Sequence, residues 1–284
     1  MIVPVETASD PRLAPFTAVR ERDLVRRDGR FLVEGKIALQ ALIERSRFAV
    51  EALFLSESRL KPLAHLLWRL DPSIPVYTAA QAVMDQTAGF HLHRGILGLA
   101  RRETGGGVAA FLDGLGAKRE SCTVLGLVGL SNHDNVGACF RNAAAFGADG
   151  VVLDGTCCDP LYRKSIRVSS GTVLSLPFAH GGAHEGAHGG AGEAMVDALE
   201  AHGFECWALT PTGGAPLQTL APPRRLALLM GAEGPGLAPE LMDRCRRVTI
   251  PMARGVDSLN VAAASAVALA HVHARRTSQA AESR

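Results

Sequence analysis

The stretch CTVLGLVG (122–129) constrains the fold more than any other, because it is an almost uninterrupted apolar run with no polar alternation. A strand with one wet face alternates; a strand buried on both faces, as in the middle of a parallel sheet, does not. The run therefore predicts a central parallel strand and an α/β fold class. The next segment, LSNHDNVGACFRNAAAFGADGVVLDG, reads as loop, helix and second strand. Val136, Cys139, Phe140, Ala143 and Ala144 make an i, i+3, i+4, i+7, i+8 apolar stripe, with Asn135 expected as the N-cap. Gly137 lets the backbone approach a neighbour closely. Arg141 falls roughly 130° from that stripe at about 100° per residue, so it faces solvent, a ligand or a second subunit.

The same alternation continues to the C-terminus. The basic segment DPLYRKSIRVSSG (159–171), which carries Arg167, leads into a strand-like LSLPFA (174–179). A helix (193–202), the strand CWALT (206–210) with Thr210 at its end, and the turn PTGGAP come next. The strand RLALLMG (225–231) runs into GAEGPG (231–236), a glycine-rich turn carrying Glu233 at a strand's carboxyl end, the usual ligand crevice of an open α/β sheet. Finally VTIPMARGVDSLNVAAASAVALA (248–270) gives a short strand, a stop at Pro251, a polar loop, and an Ala-rich helix opened by Ser258-Leu259-Asn260, with Ser258 as the expected cap. A dinucleotide-binding Rossmann start fails at its first turn. SNHDNVG contains no GxGxxG, which leaves Asp154 at the second strand end without a fingerprint to belong to. His180, His184 and His188 are four apart, but six glycines among the thirteen residues of 180–192 argue against a helix and hence against a metal site.

Upstream, FLV (31–33), FAVEALFLS (48–56), PVYTA (75–79) and GILGLARR (95–102) alternate with helical segments in a smaller α/β domain over residues 1–102. ETGGG and the segment to Glu120 read as a linker (103–120), leaving 121–284 for the second domain. Net charge is only +2, so global electrostatics do not announce a nucleic acid. Between residues 20 and 47, however, eight cations face five carboxylates, and Arg20, Arg22, Arg26, Arg27 and Arg30 form its densest part. The six cysteines show no CxxC or zinc-finger spacing and suit reduced thiols in a cytoplasm. Charges at Glu6, Asp10 and Arg12 interrupt any signal sequence, and no apolar stretch approaches the ~20 residues of a membrane span. The C-terminal helix is too Ala-rich and too short for one.

Three loops, each after an expected strand, belong together: SNHDNVGACFR, LLMGAEGPG and TIPMARGVDSLNV. With them the sequence resembles the TrmH/SpoU branch of the SPOUT methyltransferases, enzymes that methylate RNA ribose 2′-hydroxyls with S-adenosylmethionine. The family's N-x-G-x-x-x-R pattern is met at Asn135, Gly137 and Arg141, and its Gly-x-Glu-Gly turn at Gly231, Glu233 and Gly234. Its isoleucine-proline and Ser-Leu-Asn-Val signature is met at Ile250, Pro251, Ser258, Leu259, Asn260 and Val261; Ala262 departs where many relatives carry a second serine. FLVEGKIALQALI (31–43) and HRGILGLA (93–100) resemble the L30e-like domain that precedes many such enzymes.

The resemblance implies a C-terminal SPOUT domain with a deep trefoil knot, behind a smaller L30e-like RNA-binding domain. It implies S-adenosylmethionine held by Thr210, Met230, Gly231, Gly234, Ile250, Met252 and Leu259, no metal, and a homodimer. RNA would meet Arg20, Arg22, Arg26, Arg27, Arg30 and Arg167. Arg141, Asn135, Glu233, Ser258 and Asn260 would carry catalysis, Arg141 as proton acceptor or as a clamp on ribose and phosphate. The L30e-like extension points to ribosomal RNA, 23S above all, with tRNA the alternative. A non-catalytic RNA-binding relative would be expected to have lost one of Asn135, Arg141, Glu233 or Asn260, and all four are present.

Overall fold

The computed structural model describes residues 1–17, 29–102, 106–116, 121–181 and 192–282. Arg20, Arg22, Arg26 and Arg27 lie outside the described residues, as do His184 and His188. The chain divides into two units, Met1–Thr104 with Pro160–Ser175, and Gly105–Asp159 with Leu176–Arg284.

In the first unit, β1 (Ile2–Pro4), β2 (Arg30–Glu34), β3 (Ala49–Ser56), β4 (Val76–Ala79) and β5 (Ile96–Arg101) form one sheet in the order β1-β4-β3-β5-β2. β5 runs antiparallel to both its neighbours and the other pairs are parallel. Helices α1 (Lys36–Arg45), α2 (Glu57–Leu67) and α3 (Gln81–Ala88) connect these strands. Its core gathers Leu13, Phe16, Phe54, Met84 and Leu97, with the Phe16 and Phe54 rings 5.5 Å apart.

The second unit begins earlier than the sequence suggests. The expected linker contains α4 (Gly107–Gly116), in which Val108, Phe111, Leu112 and Leu115 follow helical spacing and pack into the core. Glycines at 107, 114 and 116 disguise that stripe, since glycine lowers helix propensity. Then β6 (Cys122–Leu127) leads to α5 (His133–Ala145) and β7 (Gly150–Leu153). Every residue of β6 is buried, as its unbroken apolar run requires. The α5 stripe is buried through Val136, Cys139, Phe140 and Ala143; burying Phe140 alone contributes about 2 kcal/mol. The N-cap of α5 is Asn132, whose side chain accepts from the Asp134 amide at 2.9 Å, and Asn135 lies one turn inside. Two cap-competent asparagines three apart make that assignment ambiguous from sequence alone.

The chain then returns to the first unit. Pro160–Ser175 carries α6 (Arg163–Val168), and the Arg47 amide donates to the Leu174 carbonyl at 3.2 Å. The strand expected at 174–179 is shorter and later, as β8 (Phe178–His180), because Thr172–Leu174 coils into a 3-10 turn. Next come α7 (Glu193–Ala201), β9 (Glu205–Leu209), β10 (Ala215–Pro216), β11 (Arg225–Met230), α8 (Pro239–Arg244), β12 (Arg246–Thr249) and α9 (Val261–Glu282).

The second sheet runs β10-β12-β9-β11-β6-β7-β8, and all its pairings are parallel. Helix α9 spans 22 residues, longer than the Ala-rich stretch suggests. Its cap is Asn260, which accepts from the Ala262 amide through its side chain at 2.9 Å and from Ala264 through its carbonyl. Ser258, the expected cap, is exposed and makes no side-chain hydrogen bond with the described residues. No helix among the described residues is long and apolar enough to cross a membrane, α9 included. The six cysteines are free thiols, and burial pushes the Cys139 thiol up to about 12.

Candidate functional site

The strand order sets β12, β9, β11 and β6 side by side and parallel, so the four loops beyond their C-terminal ends emerge at one edge of the sheet. Three of those loops enclose a cavity of about 370 Å³. Thr210 enters it from beyond β9, Met230, Gly231 and Gly234 from the end of β11, and Ile250, Met252 and Leu259 from beyond β12. All seven residues expected to hold a cofactor therefore line one cavity.

Local chemistry fixes each wall. The Thr210 amide donates to the Val248 carbonyl at 2.9 Å, and the Thr249 hydroxyl donates to the Pro211 carbonyl at 3.1 Å, which ties the β9 and β12 exits together. After β11 the chain doubles back, and the Gly236 amide donates to the Ala232 carbonyl at 3.0 Å. That reversal is why residue 231 is glycine. A Cβ there would stand 2.3 Å from the Gly236 carbonyl carbon and 2.4 Å from the Leu237 nitrogen, closer than atoms can pack.

At the cavity's polar corner three side chains from three motifs meet. The Asn135 amide donates to Glu233 Oε1 at 2.5 Å, and the Asn260 amide donates both to Glu233 Oε1 and to Asn135 Oδ1, each at 3.1 Å. Because Asn260 Oδ1 also caps α9, both the amide nitrogen and the oxygen of that side chain are engaged. Glu233, an acceptor only while ionised, is the hub. Among the described residues it is also the one ionisable side chain on the cavity wall.

Arg141 stands apart from this cluster. It is exposed on α5, does not line the cavity, and makes no hydrogen bond or ion pair with the described residues. Ser258 does line the cavity. Of the expected RNA contacts within the described residues, Arg30 is engaged with Glu51 at 2.7 Å, whereas Arg167 is exposed and unpaired. Asp154 is buried and accepts from the Gly129, Thr156 and Cys157 amides and the Thr156 hydroxyl at 2.8 to 3.2 Å. It braces the loops after β6 and β7. His180 sets its two ring nitrogens 3.1 Å and 3.0 Å from the Cys157 and Gly181 carbonyls. No group of three or more His, Cys, Asp or Glu capable of holding a metal exists among the described residues.

Sequence reasoning missed Asn142. Its amide donates to the Ala262 carbonyl at 2.7 Å and to the Ser265 hydroxyl at 3.0 Å, fastening α5 to the first turns of α9. The signal was available, since Asn135 and Asn142 are seven apart, two helical turns, and so share one flank of α5 while Arg141 occupies another.

Known proteins match much of this chain. The profile of the SpoU rRNA Methylase family matches residues 123–270. An uncharacterized tRNA/rRNA methyltransferase of Mycobacterium bovis is 41% identical over 268 residues, covering 91% of this chain and 87% of that protein. The 23S rRNA (guanosine-2′-O-)-methyltransferase RlmB of Salmonella typhimurium is 28% identical over 254 residues, covering 87% of this chain and 99% of its own. In fold, the AdoMet-bound rRNA methyltransferase from Sinorhizobium meliloti superimposes with a TM-score of 0.77 at 22% identity, covering 97% of this chain and 98% of that one.

Proposed function

The chain belongs to the SpoU rRNA Methylase family, a family of RNA methyltransferases, and on that premise we propose that it moves a methyl group from S-adenosylmethionine to a ribose 2′-hydroxyl of 23S ribosomal RNA. The observation that carries this reading is the cavity of about 370 Å³ whose only ionisable wall residue, among the described residues, is Glu233. A methyl donor of this kind is a sulfonium cation with an apolar, hydrogen-bonding nucleoside. Met230, Ile250, Met252 and Leu259 offer the apolar wall, the doubled-back turn after Gly231 offers main-chain groups, and Glu233 offers the complementary charge. A phosphate-bearing cofactor would find no cation on that wall among the described residues. Bound in this cavity, S-adenosylmethionine would supply the activated methyl group.

The protein's own share is positioning, because displacement at carbon requires the attacking oxygen to be held in line. Asn135 and Asn260 fix the Glu233 carboxylate, and thereby the mouth of the cavity, as positioning residues. Arg141 acts as a clamp on RNA ribose or phosphate, where an unpaired guanidinium on an exposed helix face offers a bidentate fork. A guanidinium that stays protonated at ordinary pH is poorly suited to accept a proton. Support for ribosomal RNA comes from RlmB, which aligns along nearly its whole length.

Calorimetric titration with S-adenosylmethionine tests the cofactor assignment. The Leu259→Arg variant places a cation beside the sulfonium and fills the cavity, so binding is expected to weaken by at least ~100-fold while the unfolding midpoint is kept. Wild-type affinity in that variant would remove Leu259 and its cavity from the cofactor site.

A further inference from the structure

Helix α5 meets the polar corner of the cavity at its first turn and meets α9 again further along. At the first point Asn135 accepts from the Asn260 amide at 3.1 Å and donates to Glu233. Two turns on, the Asn142 side chain commits both of its N–H groups to α9, one to the Ala262 carbonyl at 2.7 Å and one to the Ser265 hydroxyl oxygen at 3.0 Å. The Ser265 hydroxyl donates to the same carbonyl at 2.8 Å, which closes a second triangle. Ser265 is fully buried, and the Cys139 thiol of α5 lies within hydrogen-bond reach of it. A buried polar cluster whose members satisfy one another fixes a single arrangement of the elements that carry it.

What this cluster fixes is the tilt of α5. Val261 and Ala264 of α9 line the cavity, whereas no described residue of α5 does, so α9 is the reference against which α5 is set. Held only at Asn135, α5 would be free to pivot about its first turn, because apolar packing is non-directional and hydrogen bonds are directional. Arg141 lies six residues beyond Asn135. At about 1.5 Å per residue that is roughly 9 Å, so a tilt of ~10° would carry Arg141 about 1.6 Å sideways. Misplacement by ~1 Å can lower a rate about 100-fold. Asn142, the residue after Arg141, therefore puts the second tie where the displacement would be largest.

We infer that Asn142 and Ser265 are positioning residues for methyl transfer: they hold α5 at the tilt that sets the Arg141 guanidinium, and the RNA it clamps, in line with the methyl group in the cavity. The inference rests on the methyltransferase reading and on Arg141 as the clamp.

The test is the rate of methyl transfer from labelled S-adenosylmethionine to protein-free 23S rRNA, with calorimetric cofactor affinity measured on the same preparations. Both helices and the cavity belong to the second unit, so that affinity reports on the fold that holds them. Asn142→Ala removes both donations, and Asn142→Asp removes them while keeping the size of the side chain. Each is expected to lower kcat about 10- to 100-fold with cofactor affinity at the wild-type value. Ser265→Ala leaves one donation and gives a smaller loss of kcat. In an Arg141→Lys background the factor for Asn142→Ala shrinks to about 2-fold, because a flexible point charge does not depend on a fixed fork. Wild-type kcat in Asn142→Ala would overturn the inference. So would an undiminished factor in the Arg141→Lys background, or a parallel loss of cofactor affinity in all three variants, which would mark a structural role. Full activity of Arg141→Lys alone would remove the fork and this inference with it, leaving the cofactor site standing. A wild-type protein that transfers no methyl group to RNA would overturn the methyltransferase reading itself.

Discussion

Asn260 answers to two structures at once. Its carbonyl oxygen caps α9 through the Ala262 amide, and its amide nitrogen divides between Asn135 and Glu233. The two duties separate in Asn260→Asp, which keeps the cap acceptor but removes both donations and sets a second carboxylate against Glu233. Methyl transfer is expected to fall about 10- to 100-fold with the thermal midpoint nearly unchanged, as measured by initial rates and calorimetry. A wild-type rate would show that the triangle does not organise the site. For Arg141 the discriminating variant is lysine. If the planar fork grips RNA, Arg141→Lys lowers kcat/KM at least ~10-fold with S-adenosylmethionine affinity untouched. Full activity would reduce its role to a single charge. Resemblance to the family's motifs singled out Asn135, Glu233 and Asn260, each in a loop or helix start after an expected strand. Their mutual hydrogen bonds were not legible, since partners 98 and 125 positions apart leave no local periodicity.

At the scale of elements, the turn after β11 determines whether the cavity exists. In Gly231→Ala the methyl group has no space against the Gly236 and Leu237 backbone, so the turn must open. Strain of this kind typically costs about 1–3 kcal/mol, and an approximately 10- to 100-fold weaker S-adenosylmethionine affinity is expected, with the circular dichroism of the sheet retained. Unchanged affinity would mean that the turn does not contact the cofactor. Buried parallel strands were legible as apolar runs, and β6 and β11 are where CTVLGLVG and RLALLMG predict them. Two elements were hidden for physical reasons. Glycines interrupt the propensity of α4 although its stripe at 108, 111, 112 and 115 is regular. Pro160–Ser175 belongs to the first unit through scattered apolar positions, Ile166, Val173 and Leu174, that obey no single period.

For the whole molecule, the parallel order β12-β9-β11-β6 gathers three distant motifs, two as walls of the cavity and the third through Asn135, which reaches Glu233. Membership in the SpoU family rests independently on the match over residues 123–270 and on 41% identity across 91% of the chain. Order of strands is not written in any one segment, so the sequence alone reaches it only by resemblance. The central claim is that this cavity delivers a methyl group to a ribose oxygen of ribosomal RNA. It is tested most directly by incubating the protein with methyl-labelled S-adenosylmethionine and protein-free 23S rRNA from cells lacking the gene, then digesting the RNA to nucleosides. The account predicts label in a single 2′-O-methylated nucleoside; label on a base, or none in RNA, would contradict it.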